Sequence, residues 1–292
     1  DISVDRDVWT TNIDTAFLCK ILSGMGVFDD RSYRKVLEIG VGGGHTAAAL
    51  ARSLPAIEEV SMTDISIYAL QTAKLSLSAY LGTGVRDRYF HGAGIKNVDD
   101  DYDLIVVNPP YIPVPPSMTD SGDPYRGTGL IREIVEIGTG KLNRKNPNAR
   151  ILINVSSLAW RDFEQYIGDA GGSIRFAKAG PSIRVPLKIN SIDESWRRWL
   201  CEQGLLQYRP ELPDYQEKFW HAIRMFQIGR PASENVAIAA APTVFVPPQT
   251  TATAPARDHE NEDSEQAEHY ANYRKLYERK FKGMDLPERL ET

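Results

Sequence analysis

The chain has 292 residues, of which 42% are hydrophobic, which is enough for one large α/β domain with appendages or for two small domains. A formal net charge of −5 argues against a protein that holds nucleic acid mainly by bulk electrostatics. Two cysteines, Cys19 and Cys201, provide neither a disulfide framework nor zinc spacing. With no apolar run of about 18 residues and a charged N-terminus, we expect a cytoplasmic protein without a signal peptide or membrane span.

Strands and helices are predicted to alternate from about residue 35 to about residue 180. The apolar runs that predict strands cover residues 35–40, 59–65, 85–91, 103–108, 150–156 and 173–179. The helical patterns cover residues 44–53, 67–81, 130–142 and 160–168. Repeated βα units of this kind predict an α/β fold with a doubly wound, mostly parallel, Rossmann-like sheet.

Beyond residue 180 the pattern changes. Residues 190–218 are interpreted as an insertion before a last strand at 220–228. In that insertion the run Trp196-Arg197-Arg198-Trp199 predicts either helix core with solvated arginines or a surface that stacks bases or grips a partner. The predicted organisation is an N-terminal segment (1–34), a core domain (35–235), and a linker with a charged tail (236–292).

A glycine-rich turn follows the first predicted strand. It reads Glu38-Ile39-Gly40-Val41-Gly42-Gly43-Gly44, and its glycines permit a tight turn and close approach of a ligand. A carboxylate at Glu38 would repel the pyrophosphate of a dinucleotide but attract the amino group of a methionine moiety. The spacing therefore favours S-adenosylmethionine over NAD, with Glu38, Gly40, Gly42 and Gly44 at the cofactor.

Asp64 ends the second predicted strand, about twenty residues beyond those glycines. An acid at this position can accept hydrogen bonds from both hydroxyls of a ribose. Asp64 and Ser66 also suit the cap of the following helix, and the two roles can coexist. We expect Asp64 to bind the ribose of the cofactor.

The sequence Asn108-Pro109-Pro110-Tyr111 closes the fourth predicted strand, at the sheet edge where ligands bind. The prolines remove two N–H donors and leave the Pro109 carbonyl without a local partner. With the Asn108 side chain it offers two acceptors, and Tyr111 offers a flat face. This set matches a planar –NH2 group, whose protons gain positive character as the nitrogen reacts. No metal is predicted.

Together these motifs resemble the HemK/PrmC-type protein glutamine N5-methyltransferases over roughly residues 8–180. The resemblance rests on Glu38-x-Gly40-x-Gly42, on Thr63-Asp64-Ile65-Ser66-x-x-Ala69-Leu70, and on the run from Asp103 to Pro113 that contains Asn108-Pro109-Pro110-Tyr111. It implies a methyltransferase sheet and S-adenosylmethionine as cofactor. It also implies that Asn108, Pro109 and Tyr111 hold a target amide, with Asn108 next to the cofactor as well.

The segment from Trp9 to Leu18 also resembles the part of that family that lies over the cofactor, which implies cofactor contacts for Asp14 and Thr15. The chain departs from the family at residues 91–94, where the adenine is expected, since the usual acid is absent there. The insertion and the tail are also unlike the family, and either could bind a protein partner. A protein substrate, with a release factor as the family's example, is the expected partner.

Three alternatives remain. A nucleic-acid adenine or guanine N-methyltransferase would use the same logic for a planar nitrogen and flip its base onto Tyr111. A methyltransferase for a small metabolite would use the insertion as a lid. A catalytically idle fold could serve as a binding protein.

Overall fold

The computed structural model describes residues 13–231 except 79, 83, 100, 117–126, 188–191 and 214–216. The strands are β1 (Lys35–Ile39), β2 (Glu59–Asp64), β3 (Arg86–His91), β4 (Leu104–Val107), β5 (Arg150–Ser156), β6 (Arg175–Pro186), β7 (Gln207–Tyr208) and β8 (Phe219–Gly229). The α-helices are α1 (Ile13–Gly24), α2 (His45–Ser53), α3 (Ile67–Ser78), α4 (Gly129–Ile137), α5 (Trp160–Ala170) and α6 (Glu194–Glu202).

The strands form one sheet in the order β3-β2-β1-β4-β5-β8-β6, with β7 paired to β8. Strands β1 to β5 are parallel, while β8 runs antiparallel to β5, β6 and β7. This arrangement confirms the predicted α/β class with a mostly parallel, doubly wound sheet. The carboxyl ends of β1, β2, β4 and β5 therefore meet at one edge, where ligands bind in such sheets.

Helices cover both faces of the sheet, so each face has its own apolar core. Helices α1, α2 and α3 pack on one face, with buried residues such as Phe17, Leu50 and Leu70. Helices α4 and α5 pack on the other, with Ile131 and Phe163. The four strands of the centre are buried on both sides, which explains their continuous apolar runs.

Three elements differ from the sequence prediction. Helix α1 was not predicted, although its buried residues recur at helical spacing: Phe17, Leu18, Ile21 and Leu22. Strand β6 continues to Pro186, because a bulge between Lys178 and Ser182 takes up the Gly-Pro pair that reads as a strand end. Helix α4 ends at Ile137 and continues as a 3-10 turn over Gly138–Lys141.

The segment between β6 and β8 contains α6 and β7. The predicted tail at 236–292 and most of the long loop after Tyr111 lie outside the described residues. In the part of the chain that the structure describes, none of the helices combines the length and apolar character needed to cross a membrane.

Candidate active site at the carboxyl edge of the sheet

The two motifs singled out from the sequence lie on neighbouring strands. Strand β1 pairs with β4 so that Ile39 stands opposite Val107. Gly40 and Asn108 are the next residues of the two strands, and adjacent strands are about 4.8 Å apart. The glycine turn and the Asn-Pro-Pro-Tyr element therefore start side by side at the same edge.

The three alternating glycines of the turn differ in what surrounds them. All three have left-handed backbone, with φ of 71° at Gly40, 50° at Gly42 and 80° at Gly44. A Cβ added at Gly40 would meet nothing within 4 Å, whereas one at Gly44 would lie 2.7 Å from the Cα of Ala73 in α3. Gly40 therefore borders open space, and Gly44 lets α3 pack against the turn. The role of Gly44 at the cofactor stays a prediction.

Glu38 is buried just below this turn, 5% exposed. Burial raises the pKa of its carboxyl to about 8, while the Thr46 hydroxyl and the Ala47 N–H oppose that rise. Its Oε2 atom is sealed from solvent without a hydrogen-bond partner. A buried carboxyl oxygen without a partner is costly unless a donor or a cation reaches it.

Asp64 fixes the turn from the neighbouring strand β2. Its Oδ2 accepts the Gly42 N–H at 2.9 Å, and its Oδ1 accepts the Ser66 N–H at 2.9 Å. The Ser66 hydroxyl accepts the Ala69 N–H at 3.3 Å and so caps α3. Of the two residues that the sequence suggests as helix caps, Ser66 is therefore the main cap. Each Asp64 oxygen keeps a second lone pair that could accept a ribose hydroxyl. The ribose contact itself stays a prediction.

Asn108 is half-buried beside a polar residue of β5. Its Oδ1 accepts a hydrogen bond from Nδ2 of Asn154 at 3.2 Å. Asn154 is fully buried, and its own Oδ1 has no partner. The Pro109 carbonyl accepts no hydrogen bond within the described residues, as the sequence predicts. Asn154 thus orients the Asn108 amide, a role that the sequence analysis missed because it depends on sheet order.

Tyr111 joins the motif to α1. Its hydroxyl donates to Oδ2 of Asp14 at 2.6 Å. Burial raises the pKa of the Asp14 carboxyl, and the hydrogen bond from Tyr111 opposes that rise. Burial, together with Asp14, raises the pKa of Tyr111 well above its usual value, so it stays a neutral donor. Asp14 thus lies at the target side of the site, and neighbouring Thr15 is half-buried in α1.

His221 of β8 lies against Tyr111, with ring centroids 5.4 Å apart. Its Nδ1 is 2.8 Å from the hydroxyl oxygen of Ser156 at the end of β5. Burial lowers the pKa of His221 to about 3, although a backbone hydrogen bond with Ala222 acts in the opposite direction, so the ring is neutral. The hydrogen bond with Ser156 satisfies the ring, and no pattern in the sequence indicates its place beside Tyr111.

The loop after β3, where the sequence lacks the expected acid, contains a carboxylate supplied by α4. Glu133 accepts the Ile95 N–H at 2.6 Å. A Cβ at Gly94 would clash with its Oε1, so the glycine makes room for the carboxylate. Asp99, the next acid along the chain, pairs instead with Arg88. No local pattern in the sequence indicates Glu133.

The insertion packs on the segment that follows Tyr111. Trp196 of α6 is 1% exposed and donates from Nε1 to the carbonyl of Pro113 at 2.9 Å. Arg198 pairs with Glu194 on the exposed side of the helix. Of the two interpretations of this stretch, helix core is confirmed for Trp196 and a solvated arginine for Arg198, whereas Arg197 is half-buried over the ring of Phe219. The insertion thereby supports the residues that directly follow the Asn-Pro-Pro-Tyr element.

The site can be tested for its fit to S-adenosylmethionine. The unpartnered buried Oε2 of Glu38 suits an ammonium group. The open space at Gly40 suits a ligand that approaches the backbone. A pyrophosphate would instead bring negative charge to the buried carboxyl of Glu38. The residues therefore fit a methionine-bearing cofactor better than a dinucleotide.

Part of the chain is similar to known methyltransferases. The chain is 37% identical over 118 residues to the release factor glutamine methyltransferase of Rhodopirellula baltica, covering 38% of each protein. It is 39% identical over 77 residues to ribosomal RNA small subunit methyltransferase C of Vibrio vulnificus, covering 26% of this chain and 22% of that protein. The chain thus spans well under half the length of these relatives.

Among solved structures, a ribosomal protein L11 methylase from Lactobacillus delbrueckii subsp. bulgaricus is similar with a TM-score of 0.44 and 15% identity, covering 78% of this chain and 83% of that one. Residues 12–114 match the model of the methyltransferase small domain family. This segment contains the glycine turn, Asp64 and the Asn-Pro-Pro-Tyr element. The part of the chain that carries the candidate site is therefore similar to the methyltransferase small domain.

Proposed function

We propose that the chain is an S-adenosylmethionine-dependent N-methyltransferase whose target is a planar amide nitrogen, the side chain of a protein glutamine. The observation that carries the proposal is the pairing of Ile39 with Val107, since it sets the glycine turn beside the target motif. The similarity to a protein named release factor glutamine methyltransferase supports a glutamine target.

In this proposal Glu38 and Gly40 hold the methionine part of the cofactor, and Asp64 holds the ribose. When bound, the cofactor supplies an electrophilic methyl group. The side chain of Asn108 and the carbonyl of Pro109 accept the two N–H groups of the target. As the target nitrogen gives up its lone pair, its protons become more positive, so these fixed acceptors stabilise the transition state more than the ground state.

The residues around Tyr111 align the target rather than move protons. The ring provides a flat face for the conjugated amide, and its hydroxyl is engaged by Asp14. Asn154 keeps the Asn108 amide in one orientation. Such alignment lowers the entropic part of the barrier.

A second candidate, a nucleic-acid base N-methyltransferase, is favoured by one observation. The sequence from 170 to 192 contains four cations and no acid. Three of them, Arg175, Lys178 and Arg184, are exposed along β6, the edge strand of the sheet. Cations also protect edge strands from aggregation, so this feature supports the second candidate less strongly than the site supports the first.

The decisive experiment incubates the purified full chain with labelled S-adenosylmethionine and, separately, a release factor, ribosomal RNA, duplex DNA and a cell lysate. Asn108→Ala serves as the control for transfer. Label on a glutamine of the release factor is the expected result. Label on RNA or DNA alone would favour the second candidate. An absence of both labelled product and cofactor binding by calorimetry would overturn the methyltransferase proposal.

A further inference from the structure

His221 occupies a place that the proposed mechanism leaves without a task. Strand β8 runs antiparallel to β5, so its first residues lie at the same edge as the end of β5. His221 is 6% exposed and packs against the ring of Tyr111, tilted by 47°. A nitrogen-bearing ring thus lies beside the flat face proposed to hold the target.

The hydrogen bonds around Ser156 determine where the imidazole carries its proton. The Ser156 oxygen accepts the Leu158 N–H at 3.0 Å. Ser156 is 1% exposed, and within the described residues Nδ1 of His221 is the acceptor available to its hydroxyl proton. The opposite tautomer would leave that proton buried without a hydrogen bond, which is unfavourable. Ser156 therefore donates to Nδ1, and His221 carries its proton on Nε2.

Nε2 makes no side-chain hydrogen bond within the described residues, and it is not one of the sealed polar atoms that lack a partner. It therefore reaches the small surface that His221 exposes, 6% of the residue. The neutral ring can donate a hydrogen bond there but carries no positive charge. A neutral N–H can donate to a carbonyl oxygen, but it cannot bind an ammonium group, which has no acceptor.

We propose that His221 is a substrate-positioning residue that donates its Nε2–H to the carbonyl oxygen of the target amide. The inference rests on the proposed function, because Asn108 and Pro109 supply acceptors for the amide nitrogen but no donor for the amide oxygen. With His221 all three polar positions of a primary amide are matched. The site then selects a conjugated amide over an aliphatic amine, which lacks the oxygen.

Two variants test whether the side chain at this position must donate a hydrogen bond. His221→Gln places an amide N–H near the position of Nε2, whereas His221→Phe keeps a flat ring without a donor. With the release factor as substrate, we expect His221→Phe to lower kcat/KM by about tenfold to a hundredfold, the effect of one lost hydrogen bond in a buried site. His221→Gln should restore most of it, with cofactor affinity close to wild type in both. The Tm of His221→Phe should fall by a few degrees, because the buried Ser156 hydroxyl loses its acceptor. Equal activity of His221→Phe and wild type, or no rescue by Gln, would overturn the inference.

A binding measurement separates failure of this inference from failure of the proposed function. Nitrogen-15 NMR of the His221 ring should show a proton on Nε2 in the full-length protein with S-adenosylhomocysteine. Added propionamide should shift that signal saturably, while propylamine should not. A release factor that is methylated without any propionamide shift would overturn the role of His221 alone. A shift with propionamide, but no methylated protein, would support His221 and overturn the glutamine target.

Discussion

The hydroxyl of Tyr111 lies 2.6 Å from the carboxylate of Asp14, 97 residues away in the sequence. The bond joins the target motif to the helix that precedes the core, so α1 helps to orient the flat face of the site. Since Asp14 is 4% exposed, the bond also compensates part of the cost of burying a carboxyl group.

Tyr111→Phe removes this hydrogen bond and keeps the ring. We expect the free energy of unfolding to fall by about 1–3 kcal/mol, because a buried carboxyl loses a donor. Cofactor affinity should stay close to wild type. Denaturant unfolding measures the loss, and Tyr68→Phe is the control, since Tyr68 is 51% exposed. Equal unfolding free energies of Tyr111→Phe and Tyr68→Phe would show that the bond contributes no stability.

The pKa of Glu38 predicts a pH dependence in the ligand-free protein. The carboxyl has a usual pKa of 4.5 and about 8 in the folded state. Between these values the folded protein holds a proton that the unfolded chain releases, so the free energy of unfolding falls as the pH rises. Glu38→Gln should flatten this slope.

Cofactor binding should lower the raised pKa of Glu38, because an ammonium group lowers the pKa of a nearby carboxyl. At pH 7 we expect binding of S-adenosylhomocysteine to release close to one proton. Calorimetry in buffers of different ionisation enthalpy measures this number, and Glu38→Gln should release none. Binding to wild type without proton release would place the ammonium group away from Glu38.

The glycines of the turn provide a matched pair. Gly44→Ala should destabilise the protein by about 2 kcal/mol or more, because a Cβ with φ of 80° would lie 2.7 Å from the Ala73 backbone. A Cβ added at Gly40 would meet no atom within 4 Å. Gly40→Ala should therefore lower the free energy of unfolding only by its backbone strain, about 1 kcal/mol. Its main effect should be weaker cofactor binding. Equal stability losses, with cofactor affinity unchanged in Gly40→Ala, would contradict these separate roles.

Asn154 and Asn108 should respond to substitution in different ways. Asn154→Leu removes the donor that orients Asn108 and also a buried oxygen without a partner, so stability should be unchanged or higher. We expect methyl transfer to fall about tenfold, the effect of a misplaced group. Single-turnover transfer and denaturant unfolding check both parts. A loss of stability with full transfer would mean that Asn154 has a purely structural role.

Asn108→Ala removes an acceptor that is proposed to act on the target. It should largely abolish transfer and leave cofactor affinity near normal, since the glycine turn, Glu38 and Asp64 remain intact. Transfer by Asn108→Ala is measured with labelled cofactor and affinity by calorimetry. Full-rate transfer would exclude the proposed role of Asn108.

The sequence predicted most of the core sheet because its signals are local. Apolar runs ending in glycine or proline marked β1 and β4, and the motifs after them lie at the predicted edge. The Gly-Pro pair in β6 misled the prediction, since a bulge can take up such a pair without ending the strand.

The contacts that complete the site could not be predicted in this way. Tyr111 with Asp14, Asn108 with Asn154, and His221 with Ser156 each join residues at least 46 positions apart. Their proximity depends on which strands become neighbours, and a single sequence gives no measure of that. Glu133 was missed for the same reason, because it belongs to helix α4, which is far along the chain from the loop that it contacts.

The position of β8 has a consequence for synthesis of the protein. It lies between β5 and β6, although both are made before it. Until residue 229 leaves the ribosome, β6 lacks the strand with which it pairs, and β5 has an open edge. A nascent chain can thus form the cofactor half of the sheet early, while the face that surrounds Tyr111 is completed only when the last strand is inserted.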